Sequence, residues 1–190
     1  MLIISQNLSN YEISLPDDSV YRINLAWINN LDELKILLAK HSSHKIFLDL
    51  PINRTKPPNN KYTLNDLVPI LQSNSNVKYF AVSNVNSKKD LEPFQKIVPP
   101  SISIIPKIES ATGINNIKEI IDELKYEKKI IMLDHDDLYS SLARSNEPTS
   151  NFKNYINDLI DFCKNNNVIL LRTVGVIFSD DEERTTQYIK

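Results

Sequence analysis

Glycine is nearly absent from this chain, with 2 residues in 190. Phosphate-cradling loops of the Walker or dinucleotide-binding kind need several glycines close together, so a nucleotide held in that manner is excluded. Cysteine occurs once, at Cys163, which excludes an intrachain disulfide and a cysteine-rich zinc site. That thiol falls on the apolar side of an expected helix and reads as buried. A strong charge of one sign is also lacking. The formal net charge is −2, so no electrostatic footprint points to nucleic acid or to an anionic membrane. No apolar run approaches the ~20 residues of a membrane span. The start, M-L-I-I-S-Q-N-L-S-N, has neither a basic region nor a long apolar core, and a cytoplasmic location is expected.

What is present is ordinary globular composition, 41% hydrophobic and 24% charged, in a chain long enough for one domain with a substantial core. Short apolar runs at residues 1–5, 20–25, 45–50, 77–82, 102–105, 130–133 and 168–171 read as strands, about seven in all. Segments 11–15 and 176–179 are further short candidates. Helical spacing separates the runs: Leu31 to Leu38 after an Asn30 N-cap, a Pro69-interrupted stretch opened by Thr63, then 90–98, 114–124 and 152–164. Alternating strands and helices imply βαβ units and a parallel sheet. The expected fold is an abbreviated TIM-like α/β barrel in a single domain. It lacks an evident eighth strand, so either the barrel is open or another chain covers the gap.

The chemistry concentrates between Ile104 and Leu142. One strand is followed by Lys107 and Glu109, the other by Asp134, His135, Asp136 and Asp137. Ligands of parallel sheets bind at the C-terminal strand ends. A lysine among carboxylates there is costly to desolvate, which points to a divalent metal and an anionic substrate; a loop salt bridge is the alternative. Arg22 and Asp49, on neighbouring expected strands, read as an ion pair. His135 has the pKa of a general base, whereas His41 and His44, in a polar segment, read as exposed.

Several segments, in order, resemble the phosphoenolpyruvate/pyruvate-binding barrel superfamily, most of all the pyruvate kinase family. Y-R-I-N-L is similar to its arginine–asparagine strand, and I-F-L-D-L-P to the following strand with its aspartate. Y-F-A-V-S-N-V-N-S-K-K-D-L resembles the next strand and loop. I-I-P-K-I-E-S-A-T-G-I-N-N-I-K-E-I resembles the lysine–glutamate signature, with Gly113 at the usual glycine. I-M-L-D-H-D-D-L is similar to the aspartate segment, and F-C-K-N-N-N-V-I-L-L-R-T to the last helix and strand.

The resemblance implies Mg2+ or Mn2+ held by Glu109 and Asp137, with Lys107 offsetting charge on a phosphoryl group or enolate oxygen. It places Thr173 near the proton-transfer end, makes Arg22 and Arg54 substrate-binding, and assigns Asn24 and Asp49 to K+. The implied activity is that of a Mg2+-dependent enzyme acting on pyruvate, phosphoenolpyruvate or a related 2-oxo acid through an enolate. The missing strand, for its part, leads to the expectation of a homo-oligomer or a partner subunit that protects what the gap exposes.

The chain departs from the family at several points. Ala26 and Trp27 replace its serine and histidine, Asp136 and Tyr139 replace glycines, and His135 stands at an arginine position. The lid and C-terminal regulatory domains have no counterpart. D-D-L-Y-S-S-L, V-G-V-I-F-S-D-D-E-E and I-E-S-A-T-G-I-N-N also resemble the 2-oxo-acid aldolase and citrate lyase β-subunit family, which implies C–C lyase chemistry. A binding or assembly protein on a degenerate scaffold is the non-catalytic alternative.

Overall fold

The computed structural model describes residues 3–5, 18–52 and 61–172. Seven strands lie in one parallel sheet in chain order: β1 (Ile3–Ser5), β2 (Val20–Asn24), β3 (Lys45–Leu50), β4 (Val77–Val82), β5 (Ser103–Ile108), β6 (Ile130–Leu133) and β7 (Ile169–Arg172). Between them run α1 (Leu31–Lys40), α2 (Leu64–Ser73), α3 (Glu92–Ile97), α4 (Ala111–Asn115), α5 (Ile117–Glu123), α6 (His135–Arg144) and α7 (Phe152–Asn165). The candidate strands at 11–15 and 176–179 lie outside the described residues.

Strands laid side by side in chain order, joined by crossovers of one hand, put every helix on the same face of the sheet. The buried side chains divide accordingly. Tyr21, Ile23, Ile46, Leu48, Phe80, Ile104, Ile131 and Leu133 pack with helix residues such as Leu34, Leu67, Phe94 and Leu159. On the opposite face Val20, Phe47, Ala81, Ile105, Ile130 and Met132 form a separate cluster made of strand residues alone. Cys163, the buried thiol read from the sequence, joins the helix side. Its burial raises the thiol pKa to about 11.

The expected TIM-like barrel needs correcting. Closure requires β1 and β7 to pair, directly or through a further strand bonded to both. Among the described residues those two strands are the free edges of an open half-barrel. With three and four residues they are also among its shortest strands. The expectation of a shortened α/β architecture stands; closure does not.

Local chemistry sets the helix ends. Asn30 accepts the Glu33 N–H at 2.8 Å, and Thr63 and Asp66 form a reciprocal capping box on α2, which tolerates Pro69 inside it. The single helix expected over 114–124 is two, broken at Asn116, whose side-chain amide is drawn to the Asn86 carbonyl at 2.8 Å. His41 is buried rather than exposed, because its ring stacks on Tyr21 with centroids 3.7 Å apart. Gly113 lets α4 sit against the β4–α3 loop, since a Cβ there would lie 2.6 Å from the Val85 carbonyl oxygen. Backbone cannot yield as a side-chain tip can. Gly113→Ala is therefore expected to destabilise the fold by about 1–3 kcal/mol, read as a lowered urea midpoint with an unchanged slope.

Candidate functional site

Strand parity turns Arg22, Asp49, Ser83, Lys107, Glu109 and Asp134 to the same face as Phe47, Ile105 and Met132. Asp49, Ser83, Lys107, Glu109 and Asp134 lie at the C-terminal ends of their strands or just past them, while Arg22 sits mid-strand in β2 in register with Phe47, so a polar layer borders the apolar floor. Lys107 belongs to β5 itself rather than to the loop after it. The hydrophobic pattern stops one position short of Pro106, but the strand continues because the ammonium finds partners inside.

Those partners form a line of alternating charge. Arg22 donates Nε to Asp49 Oδ2 at 3.2 Å, and its Nη2 pairs with the same oxygen. Lys107 Nζ lies 3.7 Å from Asp49 Oδ2 and 2.9 Å from Glu109 Oε1, and donates to Ser83 Oγ at 3.2 Å. Asp49, Lys107 and Glu109 are 0%, 5% and 3% exposed. Burial opposes every one of these charges. At Arg22 and Lys107 the adjacent carboxylates outweigh it, and both pKa values rise. At Glu109 burial wins over the attraction of Lys107, an ammonium it shares with Asp49, and the carboxyl pKa also rises.

Beside this line stands a carboxylate cluster. The register Ile108↔Leu133 sets the next residues, Glu109 and Asp134, side by side. Asp134 then caps α6, accepting the Asp137 N–H at 3.3 Å, which brings Asp137 onto the same spot. One carboxylate oxygen from each of Glu109, Asp134 and Asp137 lies within 4.8 Å of the other two. The set is one of hard oxygen donors, the chemistry that Mg2+ or Mn2+ prefers. Glu109 keeps acceptor capacity for it. Oε2 takes the Asn84 N–H at 2.6 Å, while buried Oε1 meets Lys107 without hydrogen-bond geometry.

The sequence reading thus finds Glu109, Asp137, Lys107, Arg22 and Asp49 within one layer. Asn24 is nearby, but its Oδ1 accepts the Ala26 N–H at 3.0 Å to cap a short 3-10 turn. Asp49 Oδ2 faces both Arg22 and Lys107. Arg54 and Thr173 lie outside the described residues. His135 is turned away from the cluster: its Nε2 faces Arg172 Nε and Nη2 at 3.3 and 3.0 Å. Burial, then the Arg172 charge, lowers its pKa. Sequence reasoning missed Asp134 as a ligand, although the alternation Ile130, Met132, Asp134 marks it as inward-facing. It also missed Ser83 and Asn84. An open cleft of about 710 Å³ adjoins the layer at Ser83 and Asn84, between the start of α2 and α3.

Two outcomes are expected. Asp49→Asn removes the carboxylate shared by buried Lys107 and half-buried Arg22 and costs about 3–5 kcal/mol, measured by chemical denaturation. The raised Glu109 pKa means that the folded state binds more protons than the unfolded chain. Stability therefore falls as pH rises from the ordinary value of 4.5 through the folded-state value. In Glu109→Gln this decline, followed by denaturation at successive pH values, should be absent.

No family model matches the chain, and no curated protein matches its sequence. Among solved structures it is similar to RipC from Yersinia pestis, with a TM-score of 0.62 over 98% of this chain and 83% of that one. The two are 14% identical, so the likeness carries the fold and nothing more.

Proposed function

We propose that this chain is an enzyme that uses Mg2+ or Mn2+ to act on pyruvate, phosphoenolpyruvate or a related 2-oxo acid through an enolate. One observation carries the reading: the carboxylate oxygens of Glu109, Asp134 and Asp137 converge within 4.8 Å at the strand ends that also hold Lys107. Glu109 and Asp137 would hold the cation, with Asp134 as third ligand. Among Arg22, Lys107, Asp49, Glu109, Asp134 and Asp137 the formal charge is two negative in excess, a deficit that a divalent ion offsets. When bound, the metal would supply charge neutralisation for a substrate carboxylate and for oxygen charge that develops during the reaction.

The chain's own residues do the rest. Lys107, kept protonated by Asp49 and Glu109, places a fixed positive charge beside the cluster. Arg22 uses two of its five donors on Asp49, and the remainder suit a carboxylate or phosphate. Phe47, Ile105 and Met132 close the floor to water, which strengthens each of these interactions. A homo-oligomer or partner subunit belongs to the same proposal, because β7 leaves Ile169 exposed on an edge open among the described residues. No described helix is long and apolar enough to cross a membrane.

The test is exchange of the pyruvate methyl protons for deuterium, followed by NMR. It should require Mg2+ and vanish in Glu109→Gln and Asp137→Asn. Exchange that persists in both variants, or that is absent from folded wild-type protein, contradicts the proposal. A lyase would release pyruvate from a 2-oxo-4-hydroxy acid without nucleotide, whereas kinase chemistry would need ADP. A folded protein with no affinity for either metal would be a binding or assembly protein.

A further inference from the structure

We infer that Asn84 is a positioning residue for Glu109, and that the left-handed backbone at this position sets the affinity of the acidic cluster for a divalent metal. The inference rests on the functional reading above and concerns residues that it leaves unassigned.

Asn84 follows β4 and has φ 56°, in the left-handed region. Asparagine enters that region more readily than most residues, and a β-branched residue is strongly disfavoured there. The conformation aims the Asn84 N–H at Glu109 Oε2, 2.6 Å away. That bond fixes one carboxylate oxygen and leaves the other toward Lys107, so it decides which edge of Glu109 faces Asp134 and Asp137.

The surrounding loop is held from every side. Asn84 Nδ2 donates to the Ile52 carbonyl at 2.6 Å, tying it to the end of β3. Asn86 Nδ2 donates to the Asn84 carbonyl at 3.0 Å, and the Val85 N–H reaches the Lys107 carbonyl at 3.2 Å. Ser110, the residue after Glu109, donates its hydroxyl to Asn86 Oδ1. Asn86 and Ser87 both donate backbone N–H groups to Asp90 Oδ2 at 2.8 Å. Such a loop has little freedom to follow Glu109; the carboxylate must conform to it. Groups that orient a metal ligand typically change metal affinity 10- to 100-fold when lost.

The experiment titrates metal-free full-length protein with Mn2+, reading free Mn2+ by electron paramagnetic resonance. It compares wild type, Glu109→Gln, Asn84→Gly and Asn84→Val. Glycine keeps the left-handed backbone and its N–H while losing the side-chain bond to Ile52, so affinity should stay within about threefold of wild type. Valine opposes the backbone conformation and should weaken binding about tenfold or more. If the valine protein does not fold by circular dichroism, Asn84→Ala imposes the same backbone conflict with a smaller side chain and takes its place. Equal affinity in wild type and the valine or alanine variant, with binding lost in Glu109→Gln, overturns this inference and leaves the functional reading standing. Loss in the glycine variant as large as in the valine variant also overturns it. No Mn2+ binding by folded wild type overturns both.

Discussion

The structure depends on a buried line of alternating charges that runs from Arg22 through Asp49 and Lys107 to Glu109. Each of these groups would be costly to bury alone, and each is tolerable only because its neighbour has the opposite sign. Removing any interior member strands another in a place where water cannot compensate. The line thus constrains both folding and chemistry. It keeps an ammonium charged inside the protein and holds Glu109 against the ordinary preference of a carboxylate for solvent.

The line lies where it does because of the way the sheet is wound. Strands added in order on one side leave one face for helices and the other for a curved interior. Phe47, Ile105, Ile130 and Met132 fill part of that interior, and the carboxylates of Asp49, Glu109 and Asp134 gather toward the C-terminal strand ends. The cluster of Glu109, Asp134 and Asp137 then follows from two local facts. One is the register of β5 on β6; the other is the i, i+3 geometry of an N-cap. A cap that satisfies a helix start here also delivers a second carboxylate.

Much of this was legible from the residues. Strand positions followed from short isoleucine- and leucine-rich runs, and Asn30 and Thr63 announced their helices. The position of charge at strand ends draws Glu109, Asp137 and Lys107 together in the sequence. Other features depend on distant parts of the chain and leave little local trace. Barrel closure depends on whether the first and last strands meet, which the hydrophobic pattern does not encode. Lys107 reads as loop until its partners on β3 and after β5 are known. His41 looks polar and exposed until Tyr21 lies against it. The left-handed turn at Asn84 shows only as an asparagine in an asparagine-rich loop, and its role needs Glu109 in place. Asp134 is readable by the parity of Ile130 and Met132, yet in the sequence it is one of three closely spaced aspartates with nothing local to single it out.

The central claim is that these acidic groups form a cation site rather than a set of helix caps and ion pairs. Crystals soaked in MnCl2 and measured at the manganese absorption edge address it directly. The account predicts one strong anomalous peak bounded by carboxylate oxygens of Glu109, Asp134 and Asp137, with Lys107 still paired to Asp49. Diffraction of equal quality with no peak there, or with Glu109 closed onto Lys107 by both oxygens, would contradict it.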